Sequence, residues 1–327
     1  EFVEESTALF CHRALHGRVR EGHGDLRLEH VYFLDDGRIV VIDAIEFDAA
    51  YRVGDVCADL AFLAMDLAYH ARPDLAEHLL AQYARAANDY DLFELVDFYE
   101  AYRACVRAKV AVIGGGGPDA RRYYLIAAAA PRRRVVSPSL VLVAGVMASG
   151  KTTVAGALAG VLGAPVVDAD RTRKHLLGVG AAAPMHEPAW SGAYDPYFTE
   201  RVYLEVFRRA EVVLRSGRPV IIDASFRSRV LRQRARELAA TCGVPFQLVE
   251  CRAPDDVCRA RLGARAGGRG VVSDGRVELF DEFKRSFETI DELSPSEHVV
   301  VDTTQPLSET TEDVRRRVPS WPPGLVV

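Results

Sequence analysis

Short apolar runs at 140–144, 165–167, 219–223, 246–251 and 298–302 alternate with stretches of helical periodicity. Those stretches start at Lys151, around 196–216, around 228–242, at Pro254 and after Asp302. Near-continuous apolar strands separated by helices imply a parallel sheet covered on both faces. The first half reads differently. Residues 1–20 predict a helix, followed by strand-like runs at 31–34 and 38–43 joined by the turn Asp35-Asp36-Gly37, a hairpin signal. From 55 to 130 the pattern is helical, and Leu95, Phe98, Tyr102, Val106 and Val110 recur at three- and four-residue spacing as one core-facing stripe. Residues 114–118 break that helix. The segment 131–139 (PRRRVVSPS) has linker composition, which divides the chain into domains 1–134 and 135–327. The tail 319–327 reads as irregular.

A length of 327 residues suits two domains. With a net charge of −5 there is no general electrostatic drive toward nucleic acid or a membrane surface, so neither is expected as a partner. The runs Arg132–Arg134 and Arg315–Arg317 read as solvated faces. Cysteines 11, 57, 105, 242, 251 and 258 lie far apart without CxxC spacing, the usage of reduced, mostly buried thiols in a cytoplasmic protein. No apolar run reaches the roughly 18–20 residues that span a bilayer. The chain opens at Glu1 inside a helical pattern, so a piece of a longer protein is expected.

Gly145-Val146-Met147-Ala148-Ser149-Gly150-Lys151-Thr152 satisfies G-x-x-x-x-G-K-[ST] at every fixed position, between an apolar run and a helical pattern. Glycines let the backbone curl so that successive N–H groups point at phosphate oxygens, and the helix N-terminus adds partial positive charge. Gly145, Ser149, Gly150, Lys151, Thr152 and Thr153 are therefore the candidate ATP ligands. Lys151 faces the β- and γ-phosphates, and the Thr152 hydroxyl completes a Mg²⁺ shell.

Phosphoryl transfer further needs a carboxylate to orient or deprotonate the attacking hydroxyl. Val167-Asp168-Ala169-Asp170 ends a strand at the edge where open α/β sheets bind ligands. Asp170 is assigned to the acceptor hydroxyl, with a helix cap as its alternative. Asp168 is assigned to the metal's outer shell, and Arg173 to an anionic group of substrate or product. Asp223, closing Val220-Ile221-Ile222, is the second Mg²⁺-side carboxylate; Arg227 and Arg229 follow, placed either to reach a substrate or, equally, on a helix surface. The run 259–270 is a helix end breaking into a basic, glycine-rich loop, the composition of a closing lid. Arg261 and Arg265 share one helix face there, placed to neutralise the transferring group. An ordinary exposed basic loop is the alternative.

Residues 140–317 resemble the P-loop kinases related to gluconate, shikimate and zeta-toxin-type kinases. The resemblance rests on the P-loop, Asp170-x-x-Arg173-Lys174, Asp223-Ala224-Ser225-Phe226, Cys251-x-Ala253-Pro254 and Arg261-Leu262-x-x-Arg265. It implies a three-layer P-loop NTPase fold around five parallel strands. His23-Gly24-Asp25-Leu26 and Val40-Val41-Ile42-Asp43 resemble the catalytic and metal loops of aminoglycoside phosphotransferase-like kinases. That likeness implies a mostly helical C-lobe fragment of a protein-kinase-like fold, with Asp25 orienting an acceptor hydroxyl and Asp43 binding Mg²⁺. His30 stands where that family has asparagine, and about twenty residues before His23 leave no room for a small lobe. This half is expected to be inactive alone. The whole resembles bacterial bifunctional aminoglycoside phosphotransferase/ATP-binding proteins. The expected function is transfer of the ATP γ-phosphoryl group to a hydroxyl of a sugar, nucleotide-sugar or antibiotic-like small molecule. The alternative is a regulatory ATP-binding or ATPase module fused to an inactive phosphotransferase-like domain. The segment 178–199, with Trp190, Tyr194 and Tyr197, is expected to shape the acceptor pocket.

Overall fold

The computed structural model describes residues 1–129, 135–183, 185, 190–265 and 275–318. Residues 131–134 of the linker, 266–270 of the basic loop and the tail 319–327 lie outside the described residues. The chain divides into two compact units, Glu1–Leu80 with Asp91–Val135, and Ala81–Tyr90 with Val136–Val327.

The first unit runs α1 (Phe2–Glu5), α2 (Thr7–Leu15), β1 (Val19–Glu21), β2 (Val31–Phe33), β3 (Ile39–Val41), β4 (Val53–Asp55) and α3 (Val56–Tyr69). It continues with the start of α4 (Pro73–Ala87), then α5 (Val96–Ile113) and α6 (Gly117–Ala129). The single helix expected over 1–20 is not formed. Residues 19–21 satisfy their backbone groups by antiparallel pairing with β4, Val19 opposite Asp55. The same fold-back seats Arg13 on Asp55, a buried bidentate pair at 2.6 and 2.8 Å, while Asp55 caps α3 through the Cys57 N–H. The hairpin forms as read, with Val31 opposite Val41 and Phe33 opposite Ile39.

The stripe expected to face the core does so only in part, with Phe98 and Val106 half-buried. Leu95 is buried, but Tyr102 and Val110 are exposed, and the buried positions of α5 are Val96, Glu100 and Ala104. Small Ala104 lets α5 approach α3 closely, against Phe62 and Met65, with Tyr123 of α6 completing the cluster. Arg103 lies over the Phe62 ring, 4.6 Å from its centroid.

The second unit begins with the end of α4. It continues through β5 (Leu140–Ala144), α7 (Lys151–Leu162), β6 (Val166–Asp168), α8 (Ala169–Leu176), α9 (Pro196–Arg215), β7 (Val220–Asp223) and α10 (Arg229–Thr241). Then come β8 (Phe246–Arg252), α11 (Asp255–Arg265), α12 (Phe280–Arg285), β9 (His298–Asp302) and α13 (Leu307–Arg317). Its five strands are all parallel, in the order β6-β7-β5-β8-β9. Helix α7 packs with α13 and α9 with α10, and every residue of β5, β6 and β7 is buried. Burial on both faces is why these strands read as unbroken apolar runs. The chain reverses its direction across the sheet at β5, whose two neighbours belong to opposite arms. The carboxyl end of such a strand is where open α/β sheets form a ligand crevice.

Residues 81–90 are fastened into this unit. The Tyr90 hydroxyl donates to Val166 O at 2.5 Å, and Arg209 lies over the Tyr90 ring. Arg209 Nη1 also donates to Asn88 Oδ1 at 3.1 Å and to Thr172 Oγ1 at 3.2 Å. Tyr90→Phe strands the buried Val166 carbonyl, a loss of about 1 kcal/mol. Thermal denaturation followed by circular dichroism should record a midpoint lower by about 2–4 °C.

Candidate active site

Gly145 leaves β5 with φ 140°, Ala148 takes a left-handed φ of 59°, and Gly150 turns at φ 92° into the first residue of α7. A Cβ on Gly145 would lie 2.5 Å from Cys251 O and 2.7 Å from Ser149 Oγ, so only glycine fits. Thr303, just past β9, donates its hydroxyl to Ser149 O at 2.7 Å. Arg261 donates to Thr303 O at 2.6 Å and reaches Thr303 Oγ1 and Ala148 O at 3.1 and 3.4 Å. The loop is thereby held open in a curled form. Lys151 Nζ rests on Val146 O at 2.8 Å, and Ser149 Oγ is buried without a partner.

Beside this loop lies a cavity of about 410 Å³. Gly150, Lys151, Thr152 and Thr153 line it together with Asp168, Asp170, Arg173 and Asp223. Parallel register sets Asp168 and Asp223 side by side at the ends of β6 and β7. Both are buried. Burial, and then the neighbouring Asp168, push Asp223 up to about 7 against the opposing pull of Lys151 and a hydrogen bond from Thr152.

Asp168, rather than Asp170, caps α8, accepting from Arg171 N at 3.0 Å. Asp170 is thereby left half-buried on the cavity wall. Arg173 lines the cavity under Tyr194, 4.7 Å from the ring centroid. One of its nitrogens donates to Ala193 O at 2.6 Å and to Thr199 Oγ1 at 3.3 Å, and its Nε is buried without a partner. Arg227 stacks on Trp190 at 3.9 Å, and Phe283 covers the same ring at 4.7 Å. Trp190 and Tyr194 shape the wall as expected, whereas Tyr197 is 76% exposed and does not line it. Arg229 points instead to Asp291 and Glu292.

Of the two arginines expected in a lid, Arg261 does not line the cavity. Arg261 spends its guanidinium on Thr303 and the loop carbonyl because α11 sets it beside the end of β9. The Arg265 side chain lies outside the described residues. Sequence reasoning missed Thr303, Tyr203 and Arg85. Thr303 had a faint signal, standing after a strand-end aspartate. Arg85, flanked by alanines in a helical stretch, had none.

In the first unit Asp25, His30 and Asp43 come together. The Asp25 carbonyl can only accept, so His30 Nδ1–H donates to it at 2.8 Å and Nε2 faces Asp43 Oδ2 at 3.4 Å. By the same logic His23 Nε2–H donates to Ile42 O at 2.8 Å, leaving Nδ1 to accept from Asp25 N at 3.3 Å. Asp59 gathers the His23 and Gly24 N–H groups at 2.7 and 2.9 Å.

The loop, the buried Ser149 hydroxyl and Lys151 fit a polyphosphate. Among the described residues no three His, Cys, Asp or Glu side chains converge as a metal site of their own. Thr152 and Asp223 suit a Mg²⁺ ion that takes its remaining ligands from phosphate and water.

Residues 140–290 match the AAA domain family. An uncharacterized protein of Mycobacterium tuberculosis is 37% identical over 283 residues, which cover 85% of this chain and 56% of that protein. The chain therefore spans just over half the length of the curated relatives it matches. Among solved structures, a gluconokinase from Sinorhizobium meliloti 1021 is similar at a TM-score of 0.40 and 23% identity, over 54% of this chain and 90% of that one. A putative kinase from Chloroflexus aurantiacus is similar at 0.43 and 24%, over 56% and 99%. All six cysteines are free, three of them buried. Among the described residues no helix is long and apolar enough to cross a membrane.

Asp223 binds its proton more tightly folded than unfolded. Its contribution to stability is present below the unfolded value near 4 and is lost as pH rises through about 7. Asp223→Asn removes that loss. In chelated, nucleotide-free buffer, the melting-temperature advantage of the variant over the wild type should grow between about pH 5 and about pH 8.

Proposed function

We propose that the second unit binds ATP with Mg²⁺ on residues 145–153 and transfers the γ-phosphoryl group to a hydroxyl of a small molecule. The observation that carries this reading is a curled phosphate loop at the turning point of a parallel sheet, opening onto a cavity larger than the loop itself needs. A nucleotide sensor requires only the cradle. Here the cavity extends past it to Asp170, Arg173, Trp190, Tyr194 and Arg227, which gives room and chemistry for a second ligand.

Each residue then has a task. Main-chain amides at the start of α7 and the Lys151 ammonium hold the phosphates. Thr152 and Asp223 hold the Mg²⁺ ion, which supplies charge neutralisation when bound, and Asp168 stands behind them. Asp170, on the cavity wall, accepts the proton of the acceptor hydroxyl. Arg173, with an unspent Nε beneath the Tyr194 ring, grips an anionic group of the acceptor or product. Wall residues Trp190 and Phe283 exclude water from one side.

The first unit is read as a large-lobe portion of an aminoglycoside phosphotransferase-like kinase, supported by the joined Asp25, His30 and Asp43. His30 uses one nitrogen on the Asp25 carbonyl and turns the other to Asp43, so no hard oxygen ligand occupies that position. This unit contributes no transfer of its own in the chain as it stands.

Calorimetry should detect Mg²⁺-dependent ATP binding that weakens about a hundredfold in Lys151→Ala. Screening sugars, nucleotide-sugars and aminoglycosides should find an acceptor that stimulates ADP release. Asp170→Asn should slow that release by about 10²–10⁴ with nucleotide affinity little changed. Asp25→Asn should leave it unaltered. Slow hydrolysis that no acceptor stimulates would instead favour the regulatory module.

A further inference from the structure

Arg85 stands in the wall of the same cavity, yet it comes from a helix well ahead of the matched segment 140–290. One Nη lies 3.5 Å from Asp168 Oδ2, the long limit of a hydrogen bond, and its Nε is buried without a partner. A guanidinium carries five donors, and a side chain only 23% exposed has lost most of its water. Arg85 is therefore under-satisfied where it stands. Its backbone is not loose. Tyr90 and Asn88 anchor the segment to β6 and to Arg209, so the cation is presented from a fixed support.

Position narrows the ligand. Thr152 bonds Asp223, Asp223 pairs in register with Asp168, and Asp168 meets Arg85. The four side chains thus follow one another across the ends of the strands, with the phosphate loop at one end and Arg85 at the other. An anion held by the loop reaches Arg85 only through its far end. Arg173 and Arg227, the other lining arginines, lie against the Tyr194 and Trp190 rings.

We propose that Arg85 is a ligand for the terminal phosphate of a nucleoside triphosphate, a cation supplied within the chain by the segment 81–90. The proposal rests on the nucleotide reading above. It makes Arg85 selective for the triphosphate over the diphosphate, which neither a helix-surface role nor a purely structural one would do.

The test is titration calorimetry on the full chain with Mg²⁺, using ADP and a non-hydrolysable ATP analogue in parallel. Arg85→Ala should weaken the analogue about tenfold while ADP stays within about twofold, the loss of one charge-assisted contact. Arg85→Lys should fall between, and Lys151→Ala should weaken both ligands. Equal losses for analogue and ADP, or no loss in either, overturn the proposal while leaving the nucleotide site standing. Failure of the wild-type chain to bind either ligand overturns the nucleotide reading, and this inference with it. Should Arg85→Ala melt early, Arg85→Gln keeps the length and apolar stem of the side chain, and its analogue-to-ADP ratio decides.

Discussion

Two carboxylates in neighbouring strands, set side by side by parallel register and buried from water, are the constraint around which the second unit is arranged. Burial and the neighbouring Asp168 disfavour the ionised form of Asp223 there. Lys151 approaches from the loop, Arg85 from the segment 81–90, and the Thr152 hydroxyl donates to one of the pair. In the absence of further positive charge Asp223 holds its proton more tightly than an exposed carboxyl does. In the proposed reading the pair therefore serves as a receptor for positive charge. A metal-bound polyphosphate brings such charge together with the anionic oxygens that the loop amides seek.

Much of this was legible in the residues. The five apolar runs became the five strands, and the loop lies at the carboxyl end of the central one, because a strand buried on both faces must read as continuous hydrophobicity. Asp168, Asp170, Arg173 and Asp223 converge because strand ends in such a sheet share one edge. Periodicity misled in α5, where Ala104 and Glu100 are buried and Tyr102 is not. Helical spacing identifies a face, and close approach between helices selects the face with small residues. Arg85 was invisible and Thr303 nearly so for another reason. Their importance comes from contacts with residues far away in the chain, and nothing local marks them.

Arginines illustrate the same limit. Arg13, Arg209 and Arg232 are almost wholly buried and spend their donors on protein oxygens, Arg232 on Glu292 and the Phe226 carbonyl. Arg261 has gone the same way, bracing the loop. Arg85 and Arg173 border the cavity with a buried Nε that has no partner. Composition records one residue type. Other arginines also carry a buried Nε without a partner, and among them Arg85 and Arg173 stand out by lining the cavity.

Thr303 joins the end of β9 to the loop before α7, bonding Ser149 across 154 residues of sequence. On a ribosome the loop would emerge long before its clasp. Until β9 docks beside β8, Ser149 O lacks the Thr303 hydroxyl, and Gly150 lacks the Thr303 side chain that packs beside it. A chain cut short of Thr303 would therefore carry the whole loop without the hydroxyl that holds Ser149 O.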